Sequence, residues 1–190
     1  MKSLLTQLCL IGCLGMGFLE ARPAQVIIIR HGEKQKDGEL SQAGQERAGA
    51  LGTYLTQNSA LLNFGQASAI FAARPVHFLD DNTLRCIQSV TPAASLLSLP
   101  VHSQFGSEQE EELVHFILHD HRYDGKNVII CWHHHSILDL VRLFGYTSPI
   151  ASIPSDRYDL TFIMTFPITN PVATVLLQEL MFNDPTTLPP

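Results

Sequence analysis

The run Val26-Ile27-Ile28-Ile29 contains four β-branched residues in succession and stops directly on Arg30, His31 and Gly32. A strand with no polar alternation has to be covered on both faces, which requires a sheet sandwiched between other layers. The pattern recurs at Asn127–Trp132, which leads straight into His133, His134 and His135. Both runs are read as buried strands, Gln25 to Arg30 and Asn127 to Trp132, each ending on side chains a core does not want.

The segments between them alternate in type. Ser41 is a plausible N-cap for a helix whose inner face carries Ala48, Leu51 and Leu55. Ala67 to Ala73 reads as a second strand, Thr83 to Leu97 as a helix with Pro92 inside it, and Val101 to Gln104 as a short strand. Ser107 with Glu110 has capping-box spacing ahead of Leu113 to Leu118. Ile137 to Phe144 is helical, with Gly145 as its C′ residue, and LTFIMTF and VATVLLQEL flank a turn to make two final strands. This alternation predicts an α/β three-layer sandwich, a mostly parallel sheet with helices on both faces. Ligands of such sheets bind beyond the carboxyl ends of the strands, where Arg30, His31 and the triple histidine all stand.

The 190 residues suit one domain, expected over 25–190. Net charge is -6 with acids and bases mixed along the chain, which argues against a nucleic-acid or anionic-membrane binder. The first 24 residues have the pattern of a secretory signal peptide: Lys2, an apolar run from Leu4 to Leu19, and small residues at Ala21 and Ala24. No stable membrane span is expected in the mature chain, and export to the periplasm or medium is. Leu10-Ile11-Gly12-Cys13 also resembles a lipoprotein box, but ordinary cleavage fits the flanking apolar residues better. Beyond that segment only Cys86 and Cys131 remain, read as buried thiols in a compartment that would permit one disulfide.

Arginine offers forked donors for phosphate, histidine is a nucleophile or proton donor near neutral pH, and Gly32 permits close approach to a ligand. Three stretches taken together resemble the histidine phosphatase superfamily, the phosphoglycerate-mutase-like proteins with an Arg-His-Gly motif. They are IIIRHGEK with LSQAGQERAGAL, LRCIQSVTPAA, and VIICWHHHSILDLVRLFG, covering roughly residues 25 to 166. In the second stretch Ser89 stands where relatives carry threonine.

The resemblance implies a phosphoglycerate-mutase-like fold and a metal-independent phosphatase with no cofactor, acting on a small phosphorylated substrate. It implies that His31 is the nucleophile and that Arg30 and Arg85 grip the phosphoryl oxygens. One residue of the triple histidine would complete the pocket. Alignment with relatives that carry Trp-Glu-His selects His134 and puts histidine at 133 in place of glutamate; relatives with the helix one residue further on would select His133. The two cations beside His31 should disfavour its protonation.

The acid that protonates the leaving group is not fixed by the resemblance. Glu108 is the least explained carboxylate of FGSEQEEEL, since Glu110 fits a capping box and Glu111 and Glu112 a solvated helix face. Asp80 and Asp81 are further candidates. Arg74 ends another strand, but Arg85 matches the family arginine better. His115 and His119, four apart, are read as surface residues without a third metal ligand. A phosphate-binding module without turnover, a phosphomutase and a metal-dependent hydrolase are the competing readings, the last raised by the nine histidines.

Overall fold

The computed structural model describes residues 22–75, 77, 78, 81, 82, 84–181 and 183–190. All but the last three residues of the leader-like segment, including Cys13, lie outside the described residues, as does Asp80. In chain order the elements are β1 (Gln25–Arg30), α1 (Gln42–Gln57), β2 (Ala67–Ala72), β3 (His77–Phe78), β4 (Asp81–Asn82) and α2 (Arg85–Leu97). There follow β5 (Val101–His102), α3 (Glu110–His119), β6 (Asn127–Trp132), α4 (His134–Leu143), β7 (Leu160–Thr165) and β8 (Thr174–Leu177).

Six strands form one sheet in the order β5-β2-β6-β1-β7-β8, and β3 with β4 makes a separate small hairpin. The first four strands of that order run parallel, while β7 and β8 add antiparallel to one side. The sheet is therefore mixed but mostly parallel. α1 packs on α2 and α3 packs on α4. Because the crossovers to β2 and β5 run in one direction and the crossover to β6 returns, right-handed connection puts the two helix pairs on opposite faces.

This architecture explains the apolar runs. β1 is interior, hydrogen-bonded to β6 on one side and β7 on the other, and Val26, Ile27, Ile28 and Ile29 are all buried. Each such side chain removed from water contributes about 1.5–3 kcal/mol, so β1 is a stiff base for whatever follows it. Arg30 and Trp132 are register partners at the carboxyl ends of β1 and β6, and the His31 N–H donates to the Trp132 carbonyl. The loops after both strands thus leave the sheet at one point.

The loop after β1 is pinned against α1. Ser41 caps the helix by accepting from the Gly44 N–H, and its own hydroxyl donates to the Glu33 carbonyl. Glu33 lies so close to α1 that a Cβ placed on Gly44 would stand 2.1 Å from the Glu33 oxygen. Glycine is required there by proximity to backbone, so the helix start and the loop after β1 are one packed unit. Gly52 similarly lets α1 approach Pro92 of α2.

Three expectations need correction. The Ser107–Glu110 capping box is absent: α3 begins at Glu110, its N-cap position is Gln109, and the Gln109 side chain accepts instead from the Gly106 N–H. The last helix begins at His134 rather than Ile137, so two of the three histidines form its first turn and His133 is its N-cap. Strand β5 is only two residues long because it pairs with β2 at Ile70 and Phe71 alone. Gly145 follows α4 at φ +87°, the left-handed C′ conformation expected of it.

Candidate active site

His31 is 2% exposed at the carboxyl end of β1. Its Nδ1 lies 2.7 Å from the carbonyl oxygen of Gly32, which can only accept, so Nδ1 carries the proton. The Nε–H of Arg85 donates to His31 Nε2 at 3.1 Å, which requires a lone pair on that nitrogen. The two contacts define one tautomer: neutral, protonated at Nδ1, nucleophilic at Nε2. Burial, followed by the charges of Arg85, Arg30 and His133, outweighs the Gly32 hydrogen bond and lowers the ring's pKa to about 2.

Arg85 opens α2, and the same helix turn secures the loop. Ser89 accepts from the Gly32 N–H at 2.8 Å and donates to the Arg85 carbonyl, while Gln88 accepts from the Leu40 N–H. Arg85 also donates to the Gly38 carbonyl. Arg30 approaches from the other side. Its NH1 donates to the Pro154 and Arg157 carbonyls, and its guanidinium carbon sits 3.9 Å over the ring of Tyr158. Among the described residues the buried Arg30 Nε–H has no hydrogen-bond partner. Arg157, which receives Arg30, is itself fixed by a buried two-bond pair with Asp159.

The ring that lies against His31 belongs to His133. The two ring centres are 5.6 Å apart with 67° between the planes, and His133 is buried. His134 lies in the first turn of α4; its ring contact is with His135, and it is half-buried. Burial first, then the charge of Arg30, lowers the His134 pKa to about 4, so its ring is neutral at pH 7. The pocket therefore assembles His31, Arg30, Arg85 and His133, with Tyr158 as an unforeseen wall 6.1 Å from His31.

Among the described residues, neither α2 nor α4, the helices that bring these residues in, has a side-chain N-cap or an acid in its first turn. Their N-terminal N–H groups and dipoles add positive potential where Arg85 and His133 meet His31. Everything in the pocket suits an anion.

A mycobacterial glucosyl-3-phosphoglycerate phosphatase superposes on the chain with a TM-score of 0.52 at 10% identity, covering 81% of this chain and 97% of the other. The chain shares the fold of that phosphatase. Two proteins assigned as the phosphohistidine phosphatase SixA also match, each with a TM-score of 0.46. The one from Agrobacterium tumefaciens is 14% identical and covers 75% of this chain and 92% of its own. The one from Nakamurella multipartitia is 13% identical, covering 83% and 94%. No family model matches the chain, and no curated protein matches it in sequence.

The remaining candidates distribute as follows. Glu108 is exposed at φ +72°, in a cleft of about 310 Å³ between α3 and α4 lined by Glu110, Glu111, Glu112, Asp139 and Arg142. Glu110, released from any capping role, accepts from the indole Nε1–H of Trp132 at 2.9 Å, one residue before His133. Asp81 stands on β4. Arg74 is exposed and donates to the Gln104 carbonyl. His115 and His119 stack on each other at the surface, 4.1 Å apart. Cys86 and Cys131 are both free and fully buried.

One supporting structure escaped the sequence reading. Arg47 on α1 is buried between Glu33 of the loop and Asp184 near the chain end, hydrogen-bonded through two of its nitrogens to each carboxylate. A signal was present, since Arg47 shares the helix face of Leu51 and Leu55 at spacings of four, where only a paired cation can be buried.

Proposed function

We propose that this protein is an exported phosphatase that hydrolyses phosphomonoesters through a phosphohistidine on Nε2 of His31. The carrying observation is the fixed tautomer: a buried neutral imidazole whose only free lone pair faces Arg85. In the first step that lone pair forms a P–N bond. The P–O bond to the leaving group breaks, and its electron pair leaves on the oxygen, which takes a proton. In the second step water attacks phosphorus, the P–N pair returns to Nε2, and the water proton passes to the same group that gave one. Phosphoryl transfer of this kind depends on placement and on neutralising the equatorial oxygens.

Those oxygens are held by three donors in this reading. Arg85 exchanges its bond to Nε2 for one to the phosphoryl group, the waiting Arg30 Nε–H supplies a second, and His133 supplies a third through Nε2–H. These charges and donors serve the role a metal would serve elsewhere. The Lys2 start and the apolar run to Leu19 support export. The test is direct: enzyme mixed with a ³²P-labelled monoester and quenched in alkaline denaturant should carry label in the peptide of His31. Label on serine or cysteine, or none at all while phosphate is released, would sink the reading.

Glu110 is the proton carrier we propose, because the Trp132 bond fixes its carboxylate at the wall from which His133 emerges. Its substitution by glutamine should slow an alkyl phosphate by about a hundredfold and a p-nitrophenyl ester only slightly, since a good leaving group needs no proton. The same change at Glu108 should affect neither substrate. Equal losses on both esters for Glu110→Gln would remove it from the mechanism.

A further inference from the structure

We propose that Cys86 is a positioning residue for His133: its sulfur engages Nδ1 of the ring, so that the Nε2 N–H is the side presented to the phosphoryl group. This rests on the phosphatase reading above and adds the group that decides which nitrogen of the second histidine carries the donor. Cys86 is not used by the hydrolytic steps themselves, yet it follows Arg85 directly on α2, so one helix turn supplies a clamp and a buried sulfur.

The geometry is specific. Cys86 Sγ lies 3.9 Å from His133 Nδ1, and both side chains are buried. His133 is an N-cap without a side-chain bond to its own helix, so α4 does not orient its ring. A histidine that donates from Nε2 needs Nδ1 either to accept a proton-bearing partner or to donate to an anion. A thiol at Cys86 satisfies the first case and a thiolate the second. In both, Nε2 keeps its hydrogen; only the proton between sulfur and Nδ1 changes owner.

The surroundings favour such sharing. Burial alone would raise the Cys86 thiol, but a hydrogen bond from Cys131 and the neighbouring His133 and Arg85 outweigh it and hold it below the usual thiol range. Cys131, two residues before His133 on β6, is pushed well above that range by burial and by Cys86, and so remains the protonated donor. The other charged or titratable groups facing the pair are Arg85 on α2, Arg30 at the end of β1, His31 just after it, and His134 and His135 on α4, the last with its ring stacked 5.7 Å from that of His133. With cations on two sides, an Nδ1 left without its sulfur has no fixed partner.

The experiment is long-range ¹H–¹⁵N NMR on ¹⁵N-histidine-labelled full chain, with His133 assigned from the spectrum of His133→Gln. In the unmodified protein Nε2 of His133 should be protonated throughout pH 5–8, with Nδ1 showing a hydrogen-bonded or protonated shift. Cys86→Ala should give a mixed tautomer. It should also lower kcat on an alkyl phosphate about tenfold, the worth of one hydrogen bond, with KM nearly unchanged. Cys86→Ser, whose hydroxyl donates to Nδ1, should restore both readouts. A His133 found bare at Nε2 in the unmodified protein overturns the proposal, as does a Cys86→Ala protein whose His133 signals and kcat are unchanged. Failure of the phosphatase reading looks different: no phosphohistidine and no ester hydrolysis, with the Cys86-dependent His133 signals still present.

Discussion

Alanine at His31 is expected to lower kcat/KM for a phosphomonoester by roughly ten thousandfold or more, because the variant has lost the atom on which the proposed covalent intermediate forms. Binding of inorganic phosphate should change only a few fold, since the donors that would grip it, Arg30, Arg85 and His133, do not depend on the His31 ring for their backbone anchorage. Isothermal titration and steady-state kinetics on the same preparations separate the two effects. A variant that keeps even a tenth of wild-type turnover would refute the nucleophile assignment. The ring's lowered pKa, about 2, carries a second consequence. His31 stays neutral from pH 8 to pH 4 in the free protein, so on the proposed mechanism an acid limb in kcat/KM should follow the second ionisation of the substrate phosphate, near pH 6, rather than His31. The sign for stability follows from the same shift. The unfolded chain protonates His31 near pH 6.5 and the native state does not, so native stability falls as pH drops below about 6.5 toward 2. Alanine at this position should flatten that part of the pH–stability curve.

How much of this was legible depended on whether the signal was local. β1 and β6 could be read to the residue because a fully buried strand leaves an unbroken β-branched run, and the Ser41 cap because its spacing to the apolar face is short-range. The doubly covered sheet and its ligand crevice followed from these. The position of His133 was harder. It depends on where α4 begins, and three identical residues contain no cue to the phase of a helix whose apolar face starts only at Ile137. Tyr158 and the Arg157–Asp159 pair lie more than 120 residues from Arg30, so nothing near Arg30 announces that its NH1 is held by backbone from that loop. Glu110 was misjudged for a different reason. Its spacing to Ser107 is correct for a capping box, but Gln109 takes the reciprocal bond with Gly106 and leaves Glu110 facing Trp132.

The largest stability effect should come from Arg47→Met. The side chain is 3% exposed, with Glu33 at 2.7 Å and Asp184 at 2.6 Å, and methionine keeps its volume while removing the charge that holds two carboxylates together. Stranding the part-buried Glu33 and Asp184 carboxylates without their cation costs about 3 kcal/mol, the low end for a buried pair, which for a chain of this size lowers Tm by roughly 10 °C. Burial by itself would raise the Asp184 carboxyl. The Arg47 bonds and the N–H groups of Met181 and Leu180 outweigh it and hold Asp184 below the ordinary range. In wild type, then, this contribution is present above the unfolded carboxylate pKa of about 3.9 and is lost as pH falls through the lower folded value. In the variant the sign reverses. Without Arg47 burial dominates, Asp184 is raised, and protonating it at mild acid relieves the penalty. The stability gap between wild type and variant should therefore narrow from pH 7 to pH 4.5 in urea titrations, and adding Glu33→Gln and Asp184→Asn should recover much of the loss at pH 7. Activity should fall as well, because Glu33 is two residues from His31 and Arg47 is what ties that loop to α1 and to the chain end. A gap that is pH-independent, or a variant within about 0.5 kcal/mol of wild type, would mean the loop is held without Arg47, by the Ser41, Ser89, Gln88 and Arg85 bonds.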